Sequence, residues 1–196
     1  MKKVMLGAFA TAIALLLVPA AASAQSVGGC QLDGDASFTP GLGNTAQNFQ
    51  YSFGGSLSGC QSSESGAPAS GTVSAGEVVT INGQQFQEPV PTGNGSCSSS
   101  TTAGTAIATW ADGTRTVINY TTSGVAAAVL LQGTVADSVT LPQVGGTGST
   151  TVTSTRYAGD SSQGVLTFQP PDPTLCATTG VTTAGISGAV GLGSTS

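Results

Sequence analysis

Apolar and polar residues alternate along much of this chain with a period of two. In "LDGDASF", Leu32, Ala36 and Phe38 fall on one side and Asp33, Asp35 and Ser37 on the other. In "NFQYSFGGSL", Phe49, Tyr51, Phe53 and Leu57 oppose Gln50, Ser52 and Ser56. A half-buried β-strand gives this pattern because successive side chains point to opposite faces. "PGLGNTA" between the two segments is turn chemistry, so together they predict a hairpin or a sandwich corner. Further strands are expected in "TVSAGEVVTING", "TWADGTRTVINY", "AAVLLQGTV", "GVLTFQ" and "AGISGAVGL", while "SSESGAPAS", "EPVPTGNGSCSSSTTAGT" and "LPQVGGTGSTT" read as loops. Outside the N-terminal leader no segment shows helical spacing with a capping signal. The expected fold class is all-β: a disulfide-stapled antiparallel β-sandwich with an immunoglobulin-like or jelly-roll-like Greek key, ahead of a closed barrel.

The stretch "TWADGTRTVINY" holds the chain's single Trp. Asp112-Gly113 is a strong signal for a two-residue type I′ turn, which needs positive φ at both central positions. That loop would pair Trp110 with Arg115 and Ile107 with Ile118. A following turn at Ser123-Gly124 would set Val129 beside Ile118 and Leu131 beside Thr116. One face of the meander then carries Ile107, Ile118, Val129 and Leu131 as core, and the other carries Trp110, Arg115 and Gln132 in a row. A stabilising cross-strand cation–π pair is the first reading of that row. The second is a ligand-binding platform of Trp110, Arg115 and Gln132 for a sugar ring or a partner surface.

Lys2 and Lys3 precede an apolar run from Val4 to Val18, and Ala22-Ser23-Ala24 follows in the small-x-small pattern of a cleavage site. Residues 1–24 are therefore expected to be a signal peptide and residues 25–196 a single secreted β-sandwich domain. A lipoprotein anchor at Cys30 is the rival, but "VGGC" lies too far from the apolar run. With the leader removed, Arg115 and Arg156 face nine acidic side chains, and no Lys or His remains. Nucleic acid and anionic membrane surfaces both require several cations, so neither is an expected partner. No segment after the leader is long and apolar enough to be a membrane span.

Four cysteines in an exported chain read as two disulfides. Of the three possible connectivities, Cys30 with Cys60 and Cys97 with Cys176 is preferred because each staples an early strand to a later one, worth roughly 3.5 and 4.5 kcal/mol by loop entropy. Their spacing, without any His, argues against a metal site. Pairing Cys30 directly opposite Cys60 sets inward Phe38 against outward Ser52, whereas the apolar pattern wants Leu32 opposite Leu57. Either a bulge at Gly54, Gly55 or Gly59 absorbs the difference, or the two strands lie in facing sheets.

Catalysis by a Ser-His-Asp or Cys-His set lacks its His. A glycosidase needs only two carboxylates, yet Asp33 and Asp35 are expected on an outer strand face, Glu64 and Asp172 in loops, and aromatics are scarce. "DGD" at Asp33 to Asp35 lacks the further acids of a Ca²⁺ loop. The expected function is that of a non-enzymatic, extracellular or cell-envelope binding or structural protein. It would need no cofactor, and its partner would be a glycan or a cell-surface protein. The alternative is a carbohydrate-active hydrolase using an Asp/Glu pair. Intact-mass analysis of the exported protein should show Gln25 as the new N-terminus. A diacylglycerol adduct on Cys30 would overturn the secreted assignment.

Overall fold

The computed structural model describes residues 28–193, so the expected leader and its cleavage site lie outside the described residues. In chain order the strands are β1 (Gly28–Leu42), β2 (Gln47–Ser62), β3 (Gly71–Ala75), β4 (Val78–Ile81), β5 (Gln84–Gln87), β6 (Thr92–Gly95), β7 (Ser99–Trp110), β8 (Arg115–Val125), β9 (Ala128–Ala136), β10 (Ser138–Pro142), β11 (Ser149–Thr153), β12 (Ser161–Gln169) and β13 (Val181–Leu192). One 3-10 turn, Pro173–Ala177, precedes β13.

The all-β expectation holds, and the sandwich expectation does not. Neighbouring strands run β1-β2-β3-β7-β8-β9-β12-β13, and β13 pairs back onto β1, which closes an antiparallel barrel of eight staves. Its staves follow chain order, so it is an up-and-down barrel with neither the immunoglobulin-like nor the jelly-roll-like Greek key. Closure leaves no stave at a sheet edge, where a sandwich would expose four edges of unpaired backbone.

The third stave is made in two pieces. β3 pairs with β2 over Phe53–Leu57 and with β7 over Ile107–Trp110, while β6 continues the same stave beside Gln47–Gln50 and Ser100–Ala103. Between them the chain makes an outward excursion carrying the hairpin β4–β5. It leaves at Gly76, where φ is +73° and a Cβ would lie 2.8 Å from the Tyr51 carbonyl, and only glycine fits such a position. It returns at Pro91, whose carbonyl accepts the Tyr51 N–H at 3.1 Å. Glu88 ties the neck. It is 1% exposed, and its carboxylate accepts from Ser74 Oγ at 2.6 Å and from the Glu77 N–H at 3.1 Å. The Gln87 amide donates to the Gly76 carbonyl at 2.9 Å. A carboxylate is tolerated in such a place only because these donors replace water.

Period-two alternation decides what each stave buries. Leu32, Ala36 and Phe38 on β1, and Phe49 and Leu57 on β2, are buried inside the barrel, while Asp33, Asp35 and Ser37 are exposed outside. The outer face of β7 to β9 carries exposed Thr101, Asn119, Thr121, Gln132 and Thr134.

Ile107 departs from the sequence reading. It points outward with Val117 and is buried there by Phe86, Leu141 and Val152 from the excursion hairpin and from β10–β11. Segments expected as loops, 88–105 and 141–151, hold β6, the first half of β7, the end of β10 and most of β11. Their Thr residues suit a pleated strand, but with few large apolar residues the alternation is invisible in the sequence.

Both expected disulfides are present, which places the chain in an oxidising environment. Leu32 does lie opposite Leu57, and a register shift between Gly29 and Gln31, facing Gly59 at φ +57°, brings Cys30 to Cys60. The bulge, and not two facing sheets, resolves the conflict.

Burial raises the Glu88 pKa above its ordinary value of 4.5. The folded state therefore holds that proton more tightly than the unfolded chain does. The contribution of Glu88 to stability is greatest below the ordinary value and falls as pH rises through the raised one. Urea titrations across that range should show this slope in the wild type and lose it in Glu88→Gln. Glu88→Ala strands the Glu77 N–H and should cost about 2 to 3 kcal/mol at neutral pH.

Candidate functional site

The barrel interior is not filled. A cavity of about 160 Å³ runs along it, lined by Leu57, Ala106, Ala108, Val129, Leu131 and Leu166 among other apolar side chains. Cavities of this size with aliphatic and aromatic walls stay dry and accept a benzene-sized guest. An eight-stranded barrel is at the size where the interior is either just filled or holds one small ligand.

Aromatic side chains close both ends. At the lower end Phe38 packs edge-on against Phe49 and Phe168, with ring centroids 5.8 and 5.9 Å apart. The Cys97–Cys176 bridge crosses this end, joining the β6–β7 connection to the 3-10 turn. At the upper end Trp110 lies 6.0 Å from Tyr157, whose hydroxyl donates to Ser62 Oγ at 2.7 Å. Tyr157 is buried with φ +59°, a conformation unusual for a bulky residue.

Arg156 holds that upper closure from outside. Its guanidinium reaches Glu64 at 2.9 Å and Asp112 at 2.8 Å, and its Nε donates to Thr114 Oγ1 at 3.0 Å. One side chain thus joins the loop after β2, the β7–β8 turn and the segment before β12. Hydrogen bonds from Thr114 and Arg156 hold the Asp112 carboxyl at about 2, well below its ordinary range.

Trp110 is inside the barrel, which overturns its outward assignment. The β7–β8 connection has three residues, not two: the Trp110 N–H donates to the Thr114 carbonyl, the Gly113 N–H to the Trp110 carbonyl, and Gly113 takes φ +81°. This is a type I turn with a left-handed glycine, the alternative three-residue hairpin loop. Thr109 now faces Arg115 and Ile107 faces Val117. A slip of one residue exchanges faces, so the indole enters the core at 6% exposure and donates from Nε1 to Thr116 Oγ1 at 2.9 Å. Burying so large a ring outweighs a turn preference. The next turn lies at Ala126-Ala127 instead of Ser123-Gly124, and Ile118 faces Val135. That displacement is even, so Ile118, Val129 and Leu131 keep the inward assignment.

Trp110 consequently lies on the opposite face of the wall from Arg115 and Gln132. Arg115 is half-buried at the barrel's upper rim with its N–H on Thr155 Oγ1, and Gln132 is exposed on the outer wall beside Thr121. The polar group that sequence reading missed is inside. Tyr51 Oη lies 2.7 Å from Tyr120 Oη and 3.1 Å from Thr102 Oγ1, and Thr102 Oγ1 lies 2.7 Å from Thr122 Oγ1. All four line the cavity. Burial pushes both tyrosine pKa values upward, so the hydroxyls stay protonated. The parity of Tyr51 with Phe49 and Phe53 was the available signal for one member of the group, but Thr102 falls within a segment read as loop.

No Asp, Glu, Lys or Arg lines the cavity among the described residues. Asp33 and Asp35 are exposed on the outer face of β1, Glu64 and Asp112 are held by Arg156, and Glu88 ties the excursion neck. No cluster of His, Cys, Asp or Glu suited to a metal occurs among the described residues. Comparison with models of protein families, with curated proteins and with solved structures finds no match for this chain.

Trp110→Ala should cost about 3 to 5 kcal/mol, the range for a buried aromatic, in equilibrium urea unfolding. Because Trp110 is the chain's one indole, wild-type fluorescence should have the blue emission of a buried ring and shift red on unfolding. Emission already red in the native protein would contradict the interior position.

Proposed function

We propose that this chain is an exported, non-enzymatic binding protein that encloses one small, neutral, largely apolar ligand inside its barrel. The observation that carries the reading is the apolar cavity of about 160 Å³ between two aromatic ends. Apolar walls with a few placed polar groups are what a small-molecule site offers. The oxidised cysteines and the leader motif support action outside the cell or in the cell envelope.

A glycan or cell-surface partner rested on Trp110 as an exposed platform, and the interior now holds that ring. The hydrolase alternative has weaker support, because no carboxylate lines the cavity: they are exposed, ion-paired or, in Glu88 and Asp160, buried elsewhere.

Cumene, an uncharged hydrocarbon of suitable size, is a direct probe. Its addition should raise the thermal midpoint in a saturable way, by the amount that corresponds to about 2.7 kcal/mol at a hundredfold excess over Kd. Ala108→Leu adds side-chain volume to the cavity wall and should fold yet lose the response. If the wild-type midpoint does not move, the reading fails.

A further inference from the structure

The ligand's chemical class follows from a proton count on the cavity wall. Tyr120, Tyr51, Thr102 and Thr122 form a linear chain of four hydroxyls joined by three contacts. Each hydroxyl carries one proton and can accept through two lone pairs. Three contacts use three protons, whichever way each one points. One O–H is therefore left with no acceptor inside the quartet, and the hydrogen bonds of these four side chains among the described residues are only to one another. The backbone beside them is engaged in the β2–β6, β6–β7, β7–β8 and β8–β9 ladders. The cavity wall also carries Ser62, bonded to Tyr157 at the upper end, Ser96, bonded to Ser98, and the side chains of Gln61, Ser100 and Ser162.

We propose that the enclosed ligand carries a neutral hydrogen-bond acceptor, a carbonyl or ether oxygen on an otherwise apolar body, and that the spare hydroxyl proton of this quartet donates to it. This rests on the reading of the barrel interior as the binding site. An isolated O–H facing an apolar cavity lacks the hydrogen bond it has in water, and an acceptor on the ligand supplies it. A carboxylate is disfavoured, because no cation lines the cavity to offset its charge. An amine cation would find no carboxylate within the cavity either.

Three probes of matched shape separate the possibilities: cumene, acetophenone and benzoate. With the full exported protein, cumene and acetophenone should bind and benzoate should not. The carbonyl stretch of bound acetophenone, read by infrared difference spectroscopy with a ¹³C label, should lie at the lower frequency of a hydrogen-bonded ketone. Replacing all four hydroxyls by their apolar isosteres (Tyr51→Phe, Tyr120→Phe, Thr102→Val, Thr122→Val) should return the stretch to its value in hydrocarbon solvent. The same replacement should lower acetophenone affinity relative to cumene about tenfold. If that combination does not fold, Thr122→Val and Tyr120→Phe made singly should each still fold, and at least one should move the stretch. A hydrocarbon-like stretch in the wild type, exclusion of acetophenone while cumene binds, or tight benzoate binding would overturn the acceptor assignment and leave the interior site standing. Failure of both cumene and acetophenone to bind would remove the interior site itself.

Discussion

The pairing of β13 with β1 is the constraint from which the rest follows. Once the last stave lies on the first, each stave position faces either the enclosed interior or the outer surface. Period-two alternation then becomes a rule for the whole wall. A single extra residue in any connection would turn all side chains of one stave over, so the irregularities that set the phase matter more than the regular strand between them. The register shift at Gly29 is one, and the left-handed Gly113 is another. Each makes room for a side chain or a bond that the ideal register would misplace: the first brings Cys30 to Cys60, and the second sends the indole inward.

Closure also explains why the excursion between β3 and β6 is tolerated. A break in one stave of an open sheet would expose backbone on both neighbours. Here β6 resumes the same line, so β2 and β7 remain paired above and below the gap. The excised segment covers Ile107 and Val117 from outside and creates a second, smaller core. Glu88 and Gln87 satisfy backbone groups at its neck, and a buried acid there is a polar spacer between two apolar cores.

Fold class, both disulfides and the inward faces of β1, β2 and β9 could be read from the sequence because each rests on alternation or on cysteine count, which are local signals. The choice between sandwich and barrel could not. A half-buried strand alternates identically in both, and the deciding contact joins residues near opposite ends of the chain. Trp110 was misplaced for a related reason. Asp112-Gly113 fits a two-residue and a three-residue loop equally well, and the difference of one residue reverses the face. The turn near Ala126 was misplaced by more residues, yet its even displacement left Ile118, Val129 and Leu131 on the correct side. Parity, and not distance, determined which errors mattered. The hydroxyl quartet was hidden because it is assembled from β2, β7 and β8, and half of its members are threonines, which exposed strands carry as readily as buried ones.

The distribution of size along the interior bears on what the barrel is for. Large rings occupy its ends, Phe38, Phe49 and Phe168 below and Trp110 with Tyr157 above. Ala36, Ala75, Ala106 and Ala108 are inward residues that leave the wall thin between them. A barrel selected for stability alone gains by replacing such alanines with leucine or isoleucine, since each buried methylene is worth about 0.8 kcal/mol and voids forfeit dispersion contacts. This chain instead secures its two ends covalently and through Arg156, which restores rigidity at the rims without filling the middle. Stability and hollowness are thereby assigned to different parts of the same wall. With the ends fixed, the shape of the cavity is already formed, so for the proposed guest the ordering cost that normally opposes binding would be met in folding and not at the moment of association.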